Sequence, residues 1–159
     1  MALRDKLVDR VQPHLEPGET VQAVFMAQTG PNPFLGALSF WIIIFGGKFF
    51  VVAATDRAYV VCKASMWVPS KVTGLDRRLD RNARVGPLSG LWGKSTLLAP
   101  KTWIHKRFHR DVDQADQWLD HMHNVAVEDA KPKAGWYDDP ERPGRQRYFD
   151  GYQWTDSKT

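Results

Sequence analysis

SFWIIIFGGKFFVVAAT, residues 39–55, is the stretch on which the fold turns. Two apolar runs, rich in β-branched and aromatic residues, flank the adjacent glycines Gly46 and Gly47. Glycine tolerates the positive φ that tight hairpins need, so the pattern predicts two strands joined at Gly46-Gly47. Thr55-Asp56-Arg57 supplies the next turn, and AYVVCK at 58–63 the next strand. An antiparallel meander results, and its unbroken apolar runs imply strands covered on both faces. A membrane helix is the rival reading. Residues 34–47 carry no charge, but fourteen residues would reach only about 21 Å, against a hydrocarbon core of about 30 Å. Extending the span to 34–54 runs it through Lys48, whose amine would have to snorkel, with the basic flank after Arg57 inside. The glycine pair and the β-branched content favour strands; a membrane-anchored protein with a span near 34–54 stays as the alternative.

Towards the N-terminus, Leu3, Leu7, Val8, Val11 and Leu15 recur at helical spacing. They predict a short amphipathic helix over residues 1–15, interrupted near Pro13. Glu16-Pro17-Gly18-Glu19 is a turn, TVQAVFMAQ at 20–28 a strand, and TGPNP at 29–33 a breaker. Towards the C-terminus, residues 71–84 read as a polar, basic stretch. Residues 85–108 alternate short apolar runs with Gly and Pro, which suggests two or three further strands. Then Val112, Ala115, Trp118, Leu119, Met122 and Val125 share one helical face, with acids opposite. Asp111 is placed to cap this helix, and Asp113 and Asp116 favour its positive end. Trp118 and Leu119, at the centre of the stripe, are expected to plug the open end of the β domain. Lys131-Pro132-Lys133 reads as a linker.

The chain has 159 residues and a formal charge of +4, unevenly spread. Residues 57–110 hold twelve Lys or Arg against two acids, a balance of +10; residues 111–130 hold six acids and no Lys or Arg, a balance of −6. Either these are solvated faces that partly offset each other, or the basic half meets an anionic partner. No basic, apolar and cleavable leader opens the sequence, and the lone Cys62 has no partner for an internal disulfide. Both features favour a cytoplasmic chain.

Catalytic patterns are weak. Gly93-Lys94-Ser95 lacks the glycine that a phosphate loop needs five positions earlier, where Leu88 stands, and it reads as a turn between strands. His105/His109 and His121/His123 have no accompanying Cys or carboxylate cluster, and Cys62 lies in an apolar strand. Ser, His and Asp occur without a nucleophile elbow. The reading is non-enzymatic, with no cofactor and no metal. The densest basic group is Lys71, Arg77, Arg78, Arg81 and Arg84, with Trp67, Trp92 and Trp103 interspersed. Such a mixture suits an anionic bilayer or single-stranded nucleic acid.

Gly135-Trp136-Tyr137, Asp139-Pro140, Gly144, Arg147-Tyr148-Phe149-Asp150-Gly151 and Trp154-Thr155 follow in order across residues 134–156. This resembles the actinobacterial domain of unknown function 2510, which opens GWY-x-DP and closes RYWDG-x-x-WT; Phe149 stands where that family usually has Trp. The resemblance implies a bacterial source and a family commonly attached to membrane or envelope proteins, with no established chemistry. A segment this short builds no conventional core. Trp136, Pro140, Tyr148 and Trp154 are therefore expected to form one aromatic clasp, with proline packed between rings, in a small WW-like three-stranded module. WW modules grip proline-rich peptides; here a structural clasp or docking tail is the favoured reading. Residues 20–127 resemble bacterial pleckstrin-homology-like domains in strand order, in VVAATDRAYVV at 51–61 and in the closing helix. That likeness implies two packed antiparallel sheets capped by a helix; members of the wider superfamily bind anionic lipids or proteins, but no lipid signature transfers.

The expected fold is mainly β, of α+β class: two packed antiparallel sheets capped by a C-terminal amphipathic helix, with an N-terminal helix and the C-terminal module. The expected segments are 1–15 helix, 20–127 β domain, 128–133 linker and 134–156 aromatic module. The expected function is non-catalytic binding or adaptor work in a bacterial cell, peripheral at the cytoplasmic membrane face. Its partner is a protein or an anionic membrane surface, ahead of nucleic acid and well ahead of a small-molecule substrate.

Overall fold

In the computed structural model, residues 3–33, 47–130, 132–139 and 143–158 are described. Strand β1 is Val21–Thr29, β2 Lys48–Thr55, β3 Ala58–Ala64 and β4 Val72–Asp80. β2 has both edges occupied, by β1 on one side (Phe25 opposite Val52) and by β3 on the other (Val52 opposite Val61). Both edges of β2 are thus taken within the described residues, and the expected hairpin partner at 39–45 falls outside them. Residues 34–46, which include Gly46, lie outside the described residues. The last seven residues of the alternative helical span over 34–54 belong to β2 and are strand. No helix among the described residues is long and apolar enough to cross a membrane.

Residues 51–55 and 58–62 are buried without alternation, so β2 and β3 are covered on both faces, as their apolar runs imply. Helix α1, Leu3–Val11, contributes Leu7 and Val11, spaced i to i+4 and fully buried. At Pro13 the chain passes into a short 3-10 turn, Gln12–His14. β4 was not legible as a strand. It is an edge strand whose positions alternate between partly buried and exposed. Its outward residues are Thr73, Leu75 and Arg77, and a charged edge resists pairing with another chain.

After β4 come β5, Trp92–Ser95, and β6, Thr102–His105. Gly93-Lys94-Ser95 is thus strand, not a turn. Gly93 is packed so closely that an added Cβ would come 2.7 Å from Leu88 Cβ. The sheet order is β4-β3-β2-β1-β6-β5, antiparallel throughout. β6 joins β1 only at its end, through Gln28 opposite Trp103 and Thr29 opposite Thr102. A 3-10 turn, Lys106–Phe108, leads into α2, His109–Ala130. Since α2 starts at His109, Asp111 is not its cap; it lies in the first turn and accepts from Arg4 Nη2 at 2.8 Å.

The chain divides into two compact units within α2, Met1–Leu119 and Asp120–Thr159, whereas the sequence places the linker at 128–133. The second unit contains a three-stranded antiparallel sheet of β7 (Gly135–Asp138), β8 (Gln146–Phe149) and β9 (Trp154–Lys158). The mainly β, α+β class therefore stands.

Of the two residues expected to plug the β domain, one is buried and the other is not. Val112, Ala115 and Leu119 form the buried seam of α2, with Leu119 only 2% exposed, while Trp118 is 42% exposed. One residue turns the helix by about 100°, which is enough to carry Trp118 off the seam. Leu119→Ala should cost roughly 2–5 kcal/mol, and Trp118→Ala clearly less. Equal losses in chemical denaturation would overturn this assignment.

Candidate functional site

The five basic residues singled out by sequence do not share one surface. Arg77 and Arg78 are neighbours on β4, opposite Val61 and Val60, and point to opposite faces. Arg77 bridges Asp76 at 3.2 Å and reaches Leu98 O at 3.4 Å. Arg78 donates to Glu19 Oε1 at 2.7 Å and lies 3.5 Å from Glu16. Lys71 and Arg84 are exposed.

Arg81 is a correction. Only 5% exposed, it cannot meet a surface. Its Nε donates to Thr55 O at 3.1 Å, Nη2 to Ala115 O at 2.6 Å, and Nη1 to the Tyr59 hydroxyl. The guanidinium stands 4.4 Å from the Tyr59 ring centroid. Burial lowers its pKa, and Tyr59 and Asp116 partly offset that. Burial also pushes the Tyr59 phenol up to about 12. Sequence reasoning missed this role because a strand-end arginine in a basic run looks the same whether it faces water or the core.

A second polar centre pins the start of β1. The Thr55 hydroxyl donates to Glu19 Oε1 at 2.6 Å and accepts from the Ala58 amide at 2.9 Å, closing the β2–β3 turn. Burial pushes the Glu19 carboxyl upward, but hydrogen bonds from Arg78, Thr55 and the Glu16 amide outweigh it and hold it below its ordinary range.

What the tertiary structure does gather is a different basic group. β1 ends where β2 begins, with Thr29 opposite Lys48, and β3 ends where β4 begins, with Ala64 opposite Val72. The Gly30 amide donates to Lys101 O at 3.1 Å, so the β5–β6 connection arrives there too. The described segments meeting at this end, 29–33, 47–50, 62–73 and 96–103, contain Lys48, Lys63, Lys71 and Lys101 and no Asp or Glu. A cavity of about 750 Å³ opens among Lys48, Lys63, Met66, Arg77 and Leu98, with Asp76 as its acid. The opposite end, 16–20, 55–58 and 79–84, mixes Glu16, Glu19, Asp56 and Asp80 with Arg57, Arg81 and Arg84.

The interspersed tryptophans also separate. Trp92 meets the His105 ring edge-on at 5.0 Å, and Trp103 Nε1 donates to Gly30 O at 3.2 Å. Trp67 is 81% exposed on the β3–β4 connection. Cys62 is fully buried opposite Val51, and burial pushes its thiol up to about 11. Among the described residues no group of His, Cys, Asp and Glu is arranged to hold a metal.

In the second unit the single clasp resolves into two aromatic groups. Trp136 pairs with Tyr148 across β7 and β8, ring centroids 5.4 Å apart. Trp154 packs with Phe149 at 5.3 Å and Tyr137 at 6.0 Å. Tyr137 and Phe149 are one residue along from Trp136 and Tyr148, so strand alternation puts the two groups on opposite faces. Pro140 lies outside the described residues. The other motif residues build turns and cross-strand links. Asp150 Oδ1 accepts from the Tyr152 and Gln153 amides, both at 2.8 Å, and Gly151 takes φ 99°. Those amide bonds hold the exposed Asp150 carboxyl below its ordinary pKa. Arg147 Nε donates to Thr155 O at 2.8 Å, and Thr155 Oγ1 to Tyr148 O at 3.0 Å.

This three-stranded unit is an aromatic module in which the motif serves the fold. Residues 134–159 match the family described as protein of unknown function (DUF2510), in agreement with the sequence pattern. No curated protein and no solved structure matches the chain.

Two outcomes test the polar centres. Arg81→Met strands three acceptors, each costing about 1–3 kcal/mol when buried and unpaired. Stability should fall by at least roughly 3 kcal/mol, and Arg81→Lys should not restore it, since one ammonium cannot reproduce the planar fork. For Glu19 the folded pKa is depressed, so its contribution is present above the unfolded value of about 4.3 and is lost as pH falls through the folded one. Glu19→Gln should lower stability at neutral pH and flatten its decline in acid; an unchanged acid limb would remove Glu19 from this role.

Proposed function

We propose that the first unit is a pleckstrin-homology-like domain that serves as a non-catalytic binding or adaptor module of a bacterial cell, docking peripherally on an anionic bilayer at the cytoplasmic face. The antiparallel order of β1–β4, the β5–β6 pair and the helix that follows support the likeness. The carrying observation is the segregation of charge: one end of the sheet presents Lys48, Lys63, Lys71 and Lys101 from segments without acids, and the other end is mixed. An anionic headgroup layer attracts each lysine near its surface by about 1 kcal/mol, and salt screens that attraction. Arg77, at the edge of the same cavity, adds to this end. Arg78 and Arg81 stabilise the fold and Arg84 belongs to the mixed end, so the docking set is Lys71 and Arg77 from the original five, joined by three further lysines.

Vesicle sedimentation tests the proposal. Wild type should sediment with phosphatidylserine-containing vesicles, less so as salt rises, and not with phosphatidylcholine alone. Lys48→Glu/Lys71→Glu/Lys101→Glu alters only exposed side chains and leaves the bridge between Lys63 and Asp76 intact. It should weaken binding by on the order of 100-fold, three contacts of about 1 kcal/mol each being lost. Binding to a single-stranded oligonucleotide but not to vesicles would turn the reading to nucleic acid. Binding to neither would overturn it.

A further inference from the structure

The same end of the sheet carries an apolar apex that electrostatics alone does not require. On the β3–β4 connection Met66, Trp67 and Val68 are consecutive and 39%, 81% and 48% exposed. A tryptophan left almost wholly in water between two exposed apolar neighbours forgoes most of the burial its ring can provide. Nor is this a loose loop tip. The Ser65 amide donates to Lys71 O at 2.9 Å and the Lys71 amide to Val68 O at 2.7 Å, which closes the loop on itself. Ser65 Oγ accepts from the Val68 amide at 3.4 Å, and Arg10 Nη1 donates to Ser70 Oγ at 2.8 Å, tying the loop to α1. The backbone therefore holds the apex outward.

We infer that the Met66-Trp67-Val68 apex is an interfacial anchor that enters the boundary between headgroups and acyl chains of an anionic bilayer, while Lys63 and Lys71 at its base meet the headgroups. The inference rests on the proposed membrane docking and adds its depth and orientation. Two observations select a bilayer over a protein partner. The apex is a projecting knob of three apolar side chains, which suits a deformable surface. The cations around it, Lys48, Lys63, Lys71, Arg77 and Lys101, outnumber the one acid beside them, Asp76, which bridges Lys63 at 3.4 Å, and the excess is complementary to an anionic layer. An indole is apolar with one polar edge and favours the interface, and lysine stems cover apolar surface while their amines stay in water.

The test keeps Trp67 and reads depth beside it. In full-length Val68→Cys the new thiol is exposed and Cys62 is fully buried, so an environment-sensitive fluorophore labels position 68 selectively. With phosphatidylserine-containing vesicles its emission should shift to the blue, and spin-labelled lipids should quench it most when the spin lies near the headgroup boundary. In parallel sedimentation, Trp67→Ala should bind at least roughly tenfold more weakly, with an unchanged circular dichroism spectrum. Normal sedimentation of both variants with no emission change would overturn the anchor and leave peripheral docking standing. Failure of wild type itself to sediment would overturn both. Loss of self-association in Trp67→Ala, without an effect on vesicles, would assign the apex to a second copy of the chain and overturn the bilayer assignment.

Discussion

The buried guanidinium of Arg81 ties the first unit together. It closes the end of β4 onto the carbonyl that ends β2, the phenol of β3 and a carbonyl of α2. A charge in this position is costly to desolvate and is tolerated because its donors find fixed acceptors. Those acceptors come from three separate elements, so the interaction exists only when the sheet and the helix are both in place. Tyr59 passes the network on, its hydroxyl donating to Ala83 O at 2.9 Å beyond the β4 end. Asp116 extends it by accepting from the Val85 and Gly86 amides at 3.0 and 2.9 Å, which docks the chain after β4 against the helix.

This network has a consequence for the surface. Arginines and acids are drawn together at the end of the sheet where Glu19, Thr55, Arg78 and Arg81 lie, and that end is occupied with holding β1, the β2–β3 turn and α2. The other end is left with an excess of lysines and with Asp76 as its acid. One polar end is committed to the fold, and the other leaves most of its lysines exposed. At that end Lys48, Lys71 and Lys101 are exposed, while Lys63 and Arg77 share Asp76.

The second unit solves a different problem with few residues. Its faces each carry an aromatic group, and its turns are fixed by a carboxylate and glycines at positive φ, including Gly144 at 86° and Gly151 at 99°. Too small for an interior, it relies on ring-to-ring contacts and side chain to backbone bonds, and most of its recognisable sequence pattern is explained by that need. A motif can thus be specific as a signature while its residues are devoted to folding.

Local chemistry made much of this legible. The burial of β2 and β3 follows from their unbroken apolar runs, α1 and the α2 seam from helical spacing, and the tail from a pattern that fixes turns and ring pairs. These features depend on neighbours within a few residues, which sequence displays. The partners of β2 were not legible, because an apolar strand pairs with any suitable edge and one of those chosen, β1, lies about twenty residues away along the chain. β4 was hidden because an edge strand tolerates charge, and Arg81 because burial of a cation depends on acceptors 22 to 34 positions away. The gathering of Lys48, Lys63, Lys71 and Lys101 at one end was likewise hidden across more than fifty residues of chain. Sequence alone determined which segments must be covered and some of the turns, those at Glu16–Glu19 and Thr55–Arg57 among them. The tertiary structure decided which edges met and which charges faced water, because pairing and burial are set by long-range contacts that no local pattern encodes.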